Sequence, residues 1–568
     1  MLTIGLVVVL GDQGCSPTAS APAAAAPTGA EGRGAPGSPP DASAASAPRI
    51  VLPDILAIEL PAPGMTEIAP SASPLRELLE SASAGELMVT HDQSAPLPVG
   101  ATRVTWTAWS GPAGSSSVHA TRAAYVYVFP FGQTPAGISR DTHATVGNHS
   151  PKVVRDGSGA VHVVWLDAER PGVGPRVMYR RGIQDPSTGG LRWETEPLRV
   201  SDGRSEIWNS YPAIEGSDRA VHFAWYGGRT TRYRRLVRTA EGWSFEPIRD
   251  TGASGHIHDN GPDIATRGDD EIHIVTPSGA YALSRDGGVR WTLDQVPPLP
   301  RGRIKMPALA VDRQGNAHVA FTGQVRSAPS FSLARPNGGY WELRYVRRRA
   351  GGGWVDAQDV LAALPEWRDH GAERDILADF VDIAMDGRGH IHLGWHGTVN
   401  TYIFGQDEAF YVRRPARNGS WGPIDAVQPL HPIDPAASRF VSYTPSLCVD
   451  DEADLVLAVV FFATDRHLFS QSQLFDSAVR VVRGGRVEGP PIPLSTLSGL
   501  GRASGSREAL STWFPSAGPR LFRPANGRAW LDVLHTVVTP AHHNSPYYIV
   551  YQRREVTSLL AGARAGGR

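Results

Sequence analysis

Apolar and polar residues alternate along most of this chain with the two-residue period of half-buried β-strands, and the alternation is broken repeatedly by turn residues. The clearest passage runs from Ser150 to Trp165. Pro151–Arg155 reads as a strand, Asp156–Gly159 as a tight turn and Val161–Trp165 as a second strand. Related passages begin at Pro212, Pro262, Pro307, Val381, Pro445 and Pro515. Their spacing, roughly 45 to 75 residues, is that of four-stranded propeller blades with loops of variable length. Third and fourth strands follow the same succession, as Arg176–Arg181 then Leu191–Val200, Arg232–Val237 then Trp243–Ile248, and Leu343–Arg347 then Trp354–Ala357. Inner strands such as Leu309–Val311 and Val381–Ala384 are apolar on both faces or nearly so, as strands buried between neighbouring blades should be.

Seven inner-strand copies predict an all-β fold: a seven-bladed β-propeller over residues 135–556, with six blades as the alternative. The last copy is short of a fourth strand. Gly137–Thr142, ahead of the first blade, is expected to close the ring and remove its free edges. Upstream, residues 50–130 read as a separate small β-sandwich with strands at Ile50–Leu52, Ile55–Leu60, Glu86–Thr90, within Pro96–Trp109, and at Ala123–Val128. Residues 16–48 are almost wholly Ala, Ser, Pro and Gly, which bury too little apolar surface to offset ordering entropy, and they read as a disordered tether. The apolar run Leu2–Leu10 is too short to span a bilayer and suits the core of a signal peptide over residues 1–15. Gly14-Cys15-Ser16 resembles a bacterial lipoprotein cleavage site, with Cys15 as the lipidated residue. An exported protein, secreted or held at the outer surface, is therefore expected. Residues 557–568 read as a C-terminal tail.

Charge narrows the function classes. The 55 basic and 56 acidic residues leave no basic field of the kind a nucleic acid or an acidic membrane surface would need, so the only membrane attachment expected is the N-terminal lipid. Two cysteines exclude a disulfide framework and a cysteine-based zinc site. No glycine-rich phosphate loop follows a strand, so no redox or nucleotide cofactor is expected. No ligand spacing supports a metal site; a structural calcium would have to come from Asp259, Asp379 or Asp465.

His162, His222, His273, His318 and His392 invite a metal reading, but each occupies the same place in its own second strand. Side chains repeated around a ring cannot converge on one ion, and Val456 and Trp530 stand at that place in the last two repeats, so these histidines are expected to be structural. The loops that enter the inner strands and those joining second to third strands are different: their residues change from blade to blade and should point toward one pore mouth. The entries offer Asn148 and His149, Trp208, Asn209 and Tyr211, His258 and Asp259, Lys305, and Tyr443. The second-to-third loops add Asp167, Tyr226, Arg229 and His396. That asymmetry is what a specific ligand site requires.

Two resemblances sharpen these expectations. Ser284, Asp286, Gly288 and Trp291 match Ser-x-Asp-x-Gly-x-x-Trp, the Asp-box, and residues 135–556 resemble the sialidase-like Asp-box (BNR) propeller superfamily. Leu97–Ala108 looks like the closing half of a hyalin-repeat (HYR) domain, an immunoglobulin-like sandwich that implies adhesion or spacing. The first resemblance implies an extracellular glycan as ligand and two catalytic options. A sialidase would use three arginines, a tyrosine activated by a glutamate, and an aspartate. Its Phe-Arg-x-Pro signature is absent from the first blade; Phe522-Arg523-Pro524 lies in the seventh. A uronate polysaccharide lyase would use His149 or Tyr211 as base and acid, with Arg229 or Lys305 neutralising the carboxylate. Whether the protein is an enzyme stays open at this point. The alternative is a non-catalytic propeller that binds glycan or a surface protein partner, with Trp208, Tyr211 and Tyr226 stacking on sugar rings.

Overall fold

The computed structural model describes residues 50–565 except 53–55, 81–87, 110–117, 142–143, 147–149, 169–174, 186–189, 203–208, 255–260, 298–303, 328–338, 361–376, 399–406, 417–420, 422–427, 430–441, 464–474, 496–509, 525–526 and 539–546. The leader with Cys15 and the tether lie outside the described residues, as do Asn148, His149, Trp208, His258, Asp259 and Asp465. Strands dominate, and among the described residues no helix is long and apolar enough to cross a membrane. The chain forms two compact units. One comprises residues up to 56 with 69–96 and 102–126; the other comprises 57–68, 97–101 and 127–568.

In the first unit, strand Gly100–Trp109 buries Val104, Trp106 and Ala108 in strict alternation. It pairs antiparallel with Met88–His91. A helix, Ser73–Glu80, was not foreseen from the strand-like alternation on either side of it. Its local signals are short-range: Pro74 suits the first helical turn, and Leu75 and Leu79, four apart, share the buried face. The Trp106 indole donates to the Leu79 carbonyl at 2.9 Å, which satisfies an end-of-helix acceptor.

The second unit is a run of antiparallel meanders whose inner strands are Val153–Arg155, Asn209–Gly216, Asp263–Arg267, Ile304–Val311, Leu377–Met385, Ser442–Asp450 and Ser511–Ala517. Each inner strand packs against the next, and Trp530–Val538 of the last sheet returns to Val153–Arg155. The sheets thus close into a ring, a β-propeller. The last sheet takes its outer strand from upstream: Gln133–Ser139 pairs with Tyr547–Glu555. The closing strand therefore begins before the expected Gly137 and ends at Ser139. Residues 133–136 are buried, and the Gly132 amide is anchored on Glu59 at 2.6 Å, so the strand is held from its first residue.

A repeated polar unit sits inside five of the meanders, two of which, those starting at Ile304 and Leu377, are joined into one eight-stranded sheet by a single parallel pairing of Trp341 with Leu377. His162, His222, His273, His318 and His392 each share a hydrogen bond of 2.5 to 2.8 Å with the hydroxyl of a tyrosine on the third strand of the same sheet. The other ring nitrogen faces a turn group: Asp156 at 3.1 Å, Ser217 at 3.3 Å, Glu271 at 3.0 Å, Asp312 at 3.3 Å and Asp386 at 3.5 Å. Burial lowers every one of these histidine pKa values, that of His222 to about 3 and that of His273 to about 4, so they are neutral donors and acceptors at pH 7. Each is wired within its own sheet, and they do not gather at one point. Cross-strand register corrects the equivalent residues elsewhere. Ser446 pairs with Val459 and Ser516 with Leu534, which puts Leu457 and Asp532, rather than Val456 and Trp530, at the histidine's place. The connection from first to second strand is longer in these two repeats, which shifts the count, and apolar patterning does not reveal it.

Aromatic contacts join neighbouring sheets. Tyr233 meets Trp291, Tyr281 meets Trp354, and Tyr345 meets Trp421, edge to face, at centroid distances of 5.1, 5.4 and 5.3 Å. Trp291 belongs to the Asp-box, whose turn is closed locally. Asp286 Oδ1 accepts from the amides of Val289 and Arg290, and Ser284 Oγ accepts from Gly288. The box lies between strands Ala280–Ser284 and Thr292–Gln295, away from the inner strands.

Candidate ligand-binding mouth

Every inner strand from the second sheet onward, except that at Asp263, carries a register shift close to its entry. The shifts fall between Ser210 and Ala213, Lys305 and Ala308, Asp379 and Asp382, Tyr443 and Ser446, and Trp513 and Ser516. In four of them the residue inside the bulge has left-handed backbone: Tyr211 (φ 26°), Met306 (φ 50°), Phe380 (φ 48°) and Phe514 (φ 47°). Such backbone costs a bulky L-residue about 1–3 kcal/mol and persists only where the surroundings impose it. Met306, Phe380 and Phe514 are buried, and the Phe380 amide lies 3.1 Å from Met306 Sδ. Each of these residues stands where its inner strand begins, and this level of the ring is its collar.

Beneath the collar runs a narrow axial channel lined by Asp263, Asp382, Glu215, Ser446 and Arg520 among others. The residue that follows the proline position supplies a latch to the next sheet. Asp263 accepts from the Leu309 amide and Asp382 from the Leu447 amide, each at 2.6 Å; Ser446 accepts from Ala517 at 3.0 Å and Ser516 from Lys152 at 3.1 Å. Lys152 Nζ donates to Ser150 Oγ at 2.8 Å and to its carbonyl at 3.0 Å. Burial pulls the Lys152 amine down to about 7, although Asp263 and Asp382 act in the opposite direction. Burial raises both aspartates well above the carboxylate range. Single-sequence reasoning missed this cluster. Its signal was present in the residues after the repeated proline, where polar and charged side chains alternate with alanine.

Above the collar the expected site residues divide. Tyr211 lies at the entry of its strand; burial, with the Asp141 charge adding, raises its hydroxyl to about 12. Asp141 acts in the same sense on Tyr547, from the other side of the ring closure. Two sheets thus bring Tyr211 on one side, and Tyr547 with Asp141 just beyond the closing strand on the other, into one electrostatic neighbourhood, and neither Tyr547 nor Asp141 was anticipated. Tyr226 pairs with Ser210 across the ladder and is 5% exposed, and Arg229 projects from the turn that follows it. Burial raises the Tyr226 hydroxyl while the Arg229 charge opposes it. Asp167 is half-buried and accepts from the Arg140 amide at 3.3 Å. His396 is 4% exposed, with its ring 6.1 Å from that of Phe380, so it belongs to the collar rather than to the open face. Asn209, Lys305, Asp379 and Tyr443 are placed on inner-strand entries by their backbone. Arg523, of the sialidase-like tripeptide, is committed elsewhere, paired with Asp450 and with Glu452 at 3.5 Å.

No family model and no curated protein matches this chain. Among solved structures, a Dyadobacter fermentans protein of unknown function superposes with a TM-score of 0.39 at 12% identity over 74% of this chain and 100% of its own. The Penicillium chrysogenum α-L-arabinanase complexed with arabinobiose gives 0.36 at 10% over 76% and 99%. The NanB sialidase of Streptococcus pneumoniae gives 0.36 at 10% over 82% and 84%. At such scores the propeller assignment rests on the closed ring of sheets itself.

Proposed function

We propose that the collar end of the propeller binds an extracellular glycan. The carrying observation is the approach of Tyr211 to Tyr547 and Asp141 of the closing sheet at that end, with Tyr226 and Arg229 following in the sheet of Tyr211. Phenols raised in this way stay protonated at pH 7 and serve as hydrogen-bond donors. That speaks against Tyr211 as a base or nucleophile, and so against the sialidase arrangement, and leaves a uronate ligand held by Arg229 with Tyr211 as a hydrogen-bond donor. In this reading the ring has seven blades, residues 50–130 are an immunoglobulin-like, HYR-like spacer, and the leader exports the protein, with Cys15 as its lipid anchor.

Titration with uronate oligosaccharides by calorimetry tests the proposal. Saturable binding that weakens at least tenfold in both Tyr211→Phe and Arg229→Ala supports it. No saturable binding by the folded wild type, or binding indifferent to both substitutions, overturns it. Appearance of unsaturated-product absorbance on incubation would add lyase activity to binding.

A further inference from the structure

A second cleft opens at the opposite end of the sheets, between the one that starts at Ile304 and the one that starts at Leu377. Its volume is about 1070 Å³, at the upper end of the range for small-ligand pockets. The reason it is open lies in the register. At the preceding junction, Asp294 stands opposite Tyr281, and Arg348 Nε donates to it at 2.8 Å. At this junction the residue opposite Tyr345 is Gln358, because a register shift intervenes between Tyr345 and Arg347. The bulged outer strand puts Asp356 in left-handed backbone (φ 57°) and into the cleft lining, where it pairs with Arg347 at 2.8 Å. Trp421, equivalent to Trp354, is 6% exposed and lines the same cleft, and its indole N–H, like those of Trp291 and Trp354, has no hydrogen-bond partner among the described residues. Here, where the cleft is open, an acceptor from a bound molecule would satisfy that donor.

We infer that this cleft is a second binding site, distinct from the mouth, for a neutral saccharide chain. Four arginines and four aspartates line it, so no net charge selects an anion or a cation. What remains is a dense set of donors and acceptors. Aspartates accept from hydroxyls, while arginines and the Trp421 indole donate to them. A polyhydroxylated ring offers both at every carbon, and the volume admits several such rings. The strained Asp356 is the bulge's means of aiming a carboxylate inward. A propeller that holds a glycan at each end would tether to a polymer away from the mouth.

The test titrates the full chain with cellohexaose, xylohexaose and arabinohexaose, with and without a saturating uronate oligosaccharide. At least one neutral hexasaccharide is expected to bind saturably whether or not the uronate is present. Gln358→Asp, which restores the carboxylate found at the neighbouring junction, should weaken that binding at least tenfold. Asp356→Gly, which suits left-handed backbone, should do the same while the thermal transition stays cooperative. The inference is overturned if no neutral hexasaccharide binds, if uronate competes with it, or if both folded variants bind as the wild type does. Failure of uronate binding at the mouth would leave these readings unaffected.

Discussion

The Tyr551 hydroxyl donates to Asp532 at 2.5 Å, in the place where five other sheets set a tyrosine against a histidine. The substitution of acid for imidazole has a partner across the ring seam: Arg155 of the first inner strand reaches Asp532 at 2.6 and 2.8 Å. Although burial acts to lower it, the charge of Asp532 raises the Arg155 pKa. An ordinary blade junction has become a buried ion pair at the seam where the ring closes.

Asp532→Ala should therefore cost more than a typical core polar change. It leaves a buried guanidinium unpaired, for which about 3–5 kcal/mol is usual. Chemical denaturation should report a loss of that size, and Asp532→Asn a smaller one. Equal losses in the two variants would show that the charge is not what matters there.

The closing strand gives a second expectation. A chain starting at residue 127 keeps Gln133–Ser139 and should unfold cooperatively. One starting at 141 lacks the strand that pairs with Tyr547–Glu555 and should lose the cooperative transition. Circular dichroism melts of the two compare them directly.

Gly288 makes the Asp-box a tight joint. Its φ is 88°, and a Cβ there would stand 2.1 Å from Tyr233 Cε1. Gly288→Ala combines backbone strain with overpacking, and about 2–4 kcal/mol of destabilisation is expected. A loss under 1 kcal/mol in equilibrium unfolding would mean that Tyr233 moves freely, against its contact with Trp291.

Lys152 sets a pH dependence with a definite sign. Its folded pKa of about 7 lies below the unfolded 10.5, so between those values the unfolded chain binds more protons. Its contribution to stability is least favourable below pH 7 and improves as pH rises from about 7 toward 10.5. In Lys152→Met that rising limb should disappear from a plot of unfolding free energy against pH. If the limb survives unchanged, the amine does not titrate in the folded channel as described.

How much of this was legible beforehand differs from element to element. The inner-strand repeat, the structural role of the five histidines and the Asp-box turn are local patterns, readable because strand period and turn chemistry act over a few residues. The helix at Ser73–Glu80 was missed because its eight residues carry little periodic signal between strands. Tyr211 and Arg229 were legible as candidates; Asp141 and Tyr547 were not, because they come together only through closure of the ring.

What the chain determines by itself is the succession of strands and the chemistry each repeat varies. Where those side chains meet was decided by tertiary structure. The bulges reset register by a residue, giving Tyr211 and Asp356 a left-handed backbone that no count could foresee, and ring closure brought residues 377 apart, Arg155 and Asp532, into contact. A period-two pattern tells which residues share a face of a strand; it carries no information about a shift in pairing or about which strand lies across the seam.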